Sequence, residues 1–267
     1  MVKPASGREL FDFAELWRYR DLFRFLVWRD IKVLYAQTIL GFGWAILQPL
    51  IQIILFTIIF GNIAKIPTDD VPYLLFATLG IIPWTYMSSS MTMSSMSLVS
   101  GSAMLGKIYF PRLMYPLTAI MTKLVDFAIS LVIIVVIMIY YEVTPTANLF
   151  LLPIFLIYMM AVPAATGFWL SAMSIRYRDV KFATEFGIRM LMYTAPIVYS
   201  ASTIPEAYRF LYSLNPIVGV IEGFRACVLG TEFEWTYILP GMIVTAVLMV
   251  TGLLYFKRME KVFVDVI

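Results

Sequence analysis

The sequence predicts an all-α integral membrane protein with six transmembrane helices. Three observations predict it. Hydrophobic residues fill 61% of the 267 positions, whereas a soluble domain is roughly 45–50% apolar. Six stretches meet or approach the roughly 20 apolar residues that cross a bilayer's hydrocarbon. The Lys and Arg residues collect in alternate connections between those stretches, as the positive-inside rule requires.

The lead, residues 1–38, reads as an amphipathic helix lying on the cytoplasmic interface. Leu10, Phe13, Ala14 and Trp17, then Leu22, Phe25, Leu26 and Arg29, recur at helical spacing, and the opposite face is rich in Arg. Trp17 and Trp28 suit headgroup level. A solvated basic tail, the plainer reading, does not explain these aromatics. The first apolar stretch begins near Ile39, after this charged lead, which is unlike a cleavable signal peptide.

The spans fall near 39–61, 73–96, 113–140, 149–174, 186–203 and 236–256, so residues 39–267 form one transmembrane domain. Pro196 interrupts the fifth, the weakest. The lead carries seven basic residues: Lys3, Arg8, Arg18, Arg20, Arg24, Arg29 and Lys32. The next connection has only Lys65, beside Asp69 and Asp70. Lys107 and Arg112 follow, then a connection with only Glu142, then Arg176, Arg178 and Lys181. The tail holds Lys257, Arg258 and Lys261. The exception is 204–235, which carries Arg209 and Arg225, but Glu206, Glu222, Glu232 and Glu234 accompany them. Both termini are therefore expected in the cytoplasm.

Between the last two spans, about 204–230 reads as a re-entrant helical hairpin on the outer face. Two apolar pieces, each too short to span, are split by Asn215 and Pro216. Proline has no N–H and disfavours helix at the residue before it. Non-helical backbone at membrane depth must be buried or line a wet cavity, so the hairpin is a candidate lid. A short loop packed on the surface is the alternative. Glu222 and Arg225 sit at helical spacing in it, placed to neutralise each other at a lid or a subunit contact. Gly219 and Gly223 give it a small-xxx-small spacing, a weak signal outside a full span.

Composition also excludes chemistry. Only 14% of residues are charged, and most lie between the apolar stretches. There is no histidine, which removes histidine proton relays and most zinc or haem sites. The single Cys227 permits no intrachain disulfide or thiolate cluster. No metal-ligand set, paired carboxylates or Ser-His-Asp arrangement is visible. Gly101, Gly106 and Lys107 match most of a phosphate-binding loop, but Ile108 stands where Ser or Thr must reach Mg²⁺. ATP-driven work must come from a partner. Lys123 and Asp126, three apart in the third span, can pair on one face. Ionisable groups within a span are functional candidates, although pairing and snorkelling near the cytoplasmic end explain them structurally. Aromatics make up 16% of the chain. Phe56, Phe60, Trp84, Tyr86, Phe168, Trp169, Tyr193 and Tyr199 are candidates to line a path on which sugar rings lie flat. Lipid-facing packing is the commoner fate of such residues.

Four segments in matching order carry a resemblance. They are Arg29–Pro49 at the first span, Lys107–Arg112 between spans two and three, Arg176–Asp179 between spans four and five, and Asn215–Arg225 in the outer hairpin. Together the chain resembles the permease subunits of ABC transporters that export bacterial polysaccharides, most closely the O-antigen type. The resemblance implies a bacterial inner-membrane location and pairing with a second copy. It implies two separate ATP-binding subunits that hold the ATP and Mg²⁺, with no cofactor in this chain. It implies a substrate that is a polysaccharide on a polyprenyl-pyrophosphate lipid, and no nucleic acid partner. The lead and the cytoplasmic connections would dock on the ATPase. Within that frame, Pro111 fixes a bend presenting Tyr109 and Phe110 to a pocket on the ATPase. Lys107 and Arg112 meet its acidic groups. Arg176, Tyr177, Arg178 and Asp179 form a second contact, or bind anionic lipid headgroups. Arg24, Arg29 and Lys32 attract the substrate pyrophosphate, or simply anchor the lead.

Other readings stay open. The substrate could be capsular polysaccharide, teichoic acid, a small lipid or a drug. In a different class, a membrane enzyme acting on polyprenyl phosphate would need grouped carboxylates, and the only adjacent pair, Asp69 and Asp70, falls on the outer side. A scaffold would not explain the charged connections or the hairpin.

Overall fold

A computed structural model describes residues 13–36, 38–105 and 110–260. Among the described residues the architecture is all-helical, with no strand. The lead forms α1 (Phe13–Arg18) and α2 (Arg20–Tyr35), separated at Tyr19. Residues 1–12, including Leu10 of the amphipathic pattern, lie outside the described residues. A single turn at Gly41–Gly43 opens α3 (Trp44–Phe56), which continues in wider π-type turns over Thr57–Ile63. Then come α4 (Tyr73–Ser100), a short α5 (Ser102–Leu105), α6 (Met114–Tyr140) and α7 (Leu152–Arg176). α8 (Val180–Tyr193), α9 (Glu206–Ser213), α10 (Pro216–Leu229) and α11 (Trp235–Glu260) follow.

Among the described residues, four helical stretches are long and apolar enough to cross a membrane: Gly41–Ile63, Met114–Tyr140, Ala147–Arg176 and Trp235–Glu260. They coincide with the first, third, fourth and sixth expected spans. The second expected span is a 28-residue helix, α4, long enough but too polar by that measure because it carries ten Ser and Thr residues. Its position explains this. It packs on α3, α6, α7, α8 and α10, and Thr78, Ser90, Ser94 and Ser95 are buried among them.

The fifth expected span, 186–203, is not one helix. α8 starts earlier, is 14 residues long and stops at Tyr193, short of the roughly 20 residues a span needs. Pro196 is the cause, since it can neither continue the helix nor donate to it. The chain turns there, with Ile197 N–H bonding Ala195 O at 2.8 Å.

The expected break at Asn215 and Pro216 is present. Asn215 caps α10, its Oδ1 accepting from Ile217 N–H at 3.1 Å, with Pro216 in the first turn. Gly230 ends α10 in the left-handed region at φ 73°. α10 is almost wholly buried against α4, α7 and α11. The glycine spacing serves this packing: a Cβ on Gly219 would lie 3.1 Å from the Ile238 backbone, and one on Gly223 would enter the Phe155 ring. The small residues therefore let α10 approach its neighbours closely.

Candidate functional site

Most charged side chains gather at the two ends of the bundle. One end holds the connections after α3, α6 and α8 and the start of α11. Ser200 and Ser202 both donate to the Asp69 carboxylate, the latter at 2.8 Å. Tyr73 donates to Val198 O at 2.9 Å, and Asn148 to Thr231 O at 2.8 Å. A cavity of about 530 Å³ opens here, lined by Asp69, Ser202, Glu206, Arg209, Glu234 and Tyr237 among others. Among the described residues, no group of three or more acidic or cysteine side chains is arranged to hold a metal.

Glu222 also lines this cavity and pairs with Arg225 at 3.0 Å, their side chains 17% and 5% exposed. Arg225 also sits 3.5 Å from the Phe76 ring centroid and donates to Phe76 O and Ile197 O, both at 3.4 Å. Burial pushes the Glu222 carboxyl up and Arg225 holds it down. Burial lowers Arg225 in turn and Glu222 opposes it, but a guanidinium stays charged in proteins. Gly80 makes room for this seat: a Cβ there would lie 2.8 Å from Arg225 Nη2 and 3.0 Å from Ile197 O. The pair fastens α10 to α4 and to the turn at Pro196.

The opposite end holds α2, α5 and the ends of α4, α6 and α11. Arg112 Nη1 donates to Glu260 O at 2.6 Å, tying the α5–α6 connection to the end of α11. Tyr115 donates to Gly101 O at 3.1 Å, and its ring leaves no space for a Cβ on Gly101. That glycine therefore serves packing. A cavity of about 360 Å³ lies between α2, α4 and α6, touching Arg29, Asp30, Ser97, Met104 and Tyr115.

Several expected residues are placed differently. Lys107 and Tyr109 lie outside the described residues. Phe110 is not presented to a partner: it is 3% exposed, its ring 5.4 Å from that of Tyr115. An apolar ring beside a proline bend gains more from the chain's own core than from solvent. Pro111 and Arg112 remain partly exposed, and Arg176, Tyr177, Arg178 and Asp179 are exposed. The Arg176 guanidinium lies 5.4 Å from the Tyr177 ring centroid.

Trp84, Tyr86 and Phe168 do not line an open path. They are 5%, 3% and 1% exposed and belong to the core, where α4 and α7 meet their neighbours. Phe56 and Phe60 pack edge to face at 5.3 Å, and Trp169 stacks on Tyr255 at 4.6 Å. Tyr193 is exposed, and Tyr199 donates to its carbonyl at 3.2 Å.

Arg24, Arg29 and Lys32 each have a separate companion. Arg24 lies 3.8 Å from Asp21, and Lys32 sits 4.9 Å from the Trp28 ring. Arg29 donates twice to Asp30 Oδ1, at 2.9 and 2.7 Å. The Lys123–Asp126 pair in α6 gains a third member. Lys123 Nζ meets Asp126 Oδ2 at 2.9 Å, and the Tyr35 hydroxyl donates to Asp126 Oδ1. No sequence signal pointed to Tyr35.

Helices of this length and apolarity, with most charged groups at the two ends, define a multi-pass membrane protein. Residues 21–229 match the sequence pattern of the ABC-2 type transporter family, and the chain belongs to that family. It is 25% identical over 248 residues to the O-antigen export system permease protein RfbA of Klebsiella pneumoniae, covering 92% of this chain and 95% of the relative. The protein of the same name from Myxococcus xanthus is 26% identical over 214 residues, 79% of this chain and 82% of its own. The polysialic acid transport protein KpsM of Escherichia coli is 23% identical over 209 residues, 75% and 78% of the two chains.

Proposed function

We propose that this chain is the channel-forming subunit of an exporter that carries lipid-linked polysaccharide of the O-antigen type across the bacterial inner membrane. Similarity to O-antigen export permeases over most of the chain carries this reading. Two copies surround the path, and two separate ATP-binding subunits supply the work, holding ATP and Mg²⁺. The chain itself is not catalytic. Residues 39–267 form the transmembrane domain, with six crossings once α4 and the α8 segment are counted. Residues 1–38 form the lead on the cytoplasmic interface, and both termini lie in the cytoplasm.

The two polar ends then have distinct work. The end bearing α2, the α5–α6 connection and Arg176–Asp179 docks on the ATPase. Exposed Arg176, Arg178 and Asp179 offer charge to it, and the 107–112 connection reaches it through Lys107, Tyr109, Pro111 and Arg112. Because Arg112 grips the end of α11, a push there reaches a membrane-crossing helix directly. The other end, with α9 and α10, closes the outer side as a lid, its Arg225 pair fixing α10 while α9 remains at the surface. Phe56, Phe60, Trp169, Tyr193 and Tyr199 are the aromatics left to face a path, which suits the flat apolar faces of sugars. Arg24, Arg29 and Lys32 draw the anionic lipid-linked substrate to the inner interface, as basic residues draw anionic lipids.

The test is purification of the chain from its native membrane under gentle conditions. A nucleotide-binding subunit recovered near equimolar supports the reading. A chain that emerges without any ATPase, while other such complexes stay intact, contradicts it.

A further inference from the structure

Three segments distant in sequence meet around Asp126. Tyr35 is the last residue of α2, and the chain leaves the helix at Ala36 with extended backbone. The Tyr35 ring packs 4.2 Å from that of Phe42, at the turn leading into α3. Its hydroxyl donates to Asp126 Oδ1, while Asp126 Oδ2 takes Lys123 Nζ. One helical turn further along α6, Ser130 Oγ lies 2.9 Å from Ala45 O and from Asp126 O.

The Ala45 carbonyl has a specific need. Its helical partner would be the N–H of residue 49, four residues on. That residue is Pro49, which has no N–H. The Ser130 hydroxyl, shared with the carbonyl of Asp126, offers the Ala45 carbonyl a donor from another helix. Asp126 likewise has both carboxylate oxygens engaged, one by its own helix and one by α2. Lys123 and Asp126 are only 19% and 25% exposed, so these bonds are partly shielded from water and are stronger for it. The arrangement ties the end of α2, the start of α3 and the body of α6 to one turn of helix.

We propose that Tyr35 and Ser130, acting through Asp126 and Ala45, form a latch that makes α2, α3 and α6 move together. Tyr35 is a positioning residue: it touches no substrate and passes displacement of the docking helix α2 to α6. This deepens the proposed function and rests on it for the direction of the push. The latch itself does not rest on it.

The experiment compares wild type with Tyr35→Phe, Asp126→Asn and the double variant, each assembled with its ATPase in membrane vesicles. Tyr35→Phe removes one hydroxyl and keeps the ring against Phe42. Amide hydrogen exchange reads the latch, and export per ATP hydrolysed reads the transmission. Exchange at the end of α2 and in residues 38–45 should rise about fivefold in Tyr35→Phe, the scale of one lost hydrogen bond. Complex assembly and ATP hydrolysis should persist while export per ATP falls by a similar factor. The double variant should lose no more than the worse single one, because both changes break one bond. Unchanged exchange in Tyr35→Phe overturns the latch. Raised exchange with export per ATP unaltered overturns the transmission. Additive losses in the double variant also overturn the pairing. If wild-type vesicles export nothing with any ATPase, the proposed function fails, and the exchange measurement still decides the latch.

Discussion

Replacing Gly80 by Ala tests whether α10 is fastened to α4 through the buried Arg225. The added Cβ would lie 2.8 Å from Arg225 Nη2, 3.0 Å from Ile197 O and 3.2 Å from Ile197 Cα. The 2.8 Å approach is closer than real Cβ contacts come, so the guanidinium must shift, and the Ile197 backbone must give by a few tenths of an ångström. Two of the three are backbone atoms of the turn at Pro196. The third belongs to a guanidinium held between Glu222 and the Phe76 ring. None is a free side-chain end. Forcing a methyl group into such a site costs about 1–3 kcal/mol. Displacing Arg225 from the Phe76 and Ile197 carbonyls adds roughly 1 kcal/mol. For a chain of this size a loss of about 3 kcal/mol lowers the unfolding midpoint by roughly 6–12 °C. The assay is thermal unfolding of the purified protein in detergent, with Gly187→Ala in α8 as control, since a Cβ at Gly187 meets nothing within 4 Å. The control should match wild type or slightly exceed it, as Ala favours helix over Gly. A Gly80→Ala midpoint within a degree of the control would refute the tight seat.

Other outcomes follow from the same geometry. Arg225→Met should destabilise by about 3–5 kcal/mol, because it leaves Glu222 buried without its cation; the double change with Glu222→Met should recover much of that loss in the same unfolding assay. Ser130→Ala should cost about 1–3 kcal/mol by orphaning the Ala45 carbonyl, again read by unfolding. Cys227 is fully buried, so a membrane-impermeant maleimide should leave it unlabelled from either side until denaturant is added; rapid labelling would show α10 to be loosely seated. Arg176→Glu with Arg178→Glu should reduce recovery of the ATP-binding subunit by severalfold without altering the amount of chain in the membrane, as expected for charges at a contact rim.

The four strongly apolar spans were legible because hydrophobic length alone marks a helix that crosses lipid. The hairpin's break was legible because Asn and Pro have local, context-free reasons to end one helix and start another. Aromatic positions were not. In a membrane helix, apolar side chains face both lipid and neighbouring helices, so no periodic contrast separates Trp84 or Phe168 in the core from Tyr193 at the surface. Phe110 misled for a related reason: beside Pro111 and Arg112 it looks presented, but Tyr115 in the first turn of α6 gives it a buried place. The glycines at 219 and 223 carried more than their spacing announced, because what they approach, the Phe155 ring and the Ile238 backbone, is set by tertiary structure. Lys123 and Asp126 were visible as a pair, whereas Tyr35 lies 91 residues from Asp126, with no periodicity to join them. Pro196 was visible as an interruption, but not how completely it would shorten α8.

The central claim is that this chain provides the membrane path for an ATP-driven polysaccharide exporter. The most direct test uses inverted inner-membrane vesicles loaded on their outer, cytoplasmic leaflet with radiolabelled polyprenyl-pyrophosphate polysaccharide. If the claim holds, ATP moves label to a protected interior only when this chain and its ATPase are both present, and Tyr35→Phe lowers the label moved per ATP. Protection that proceeds equally without the chain, or that needs no ATP, would contradict it.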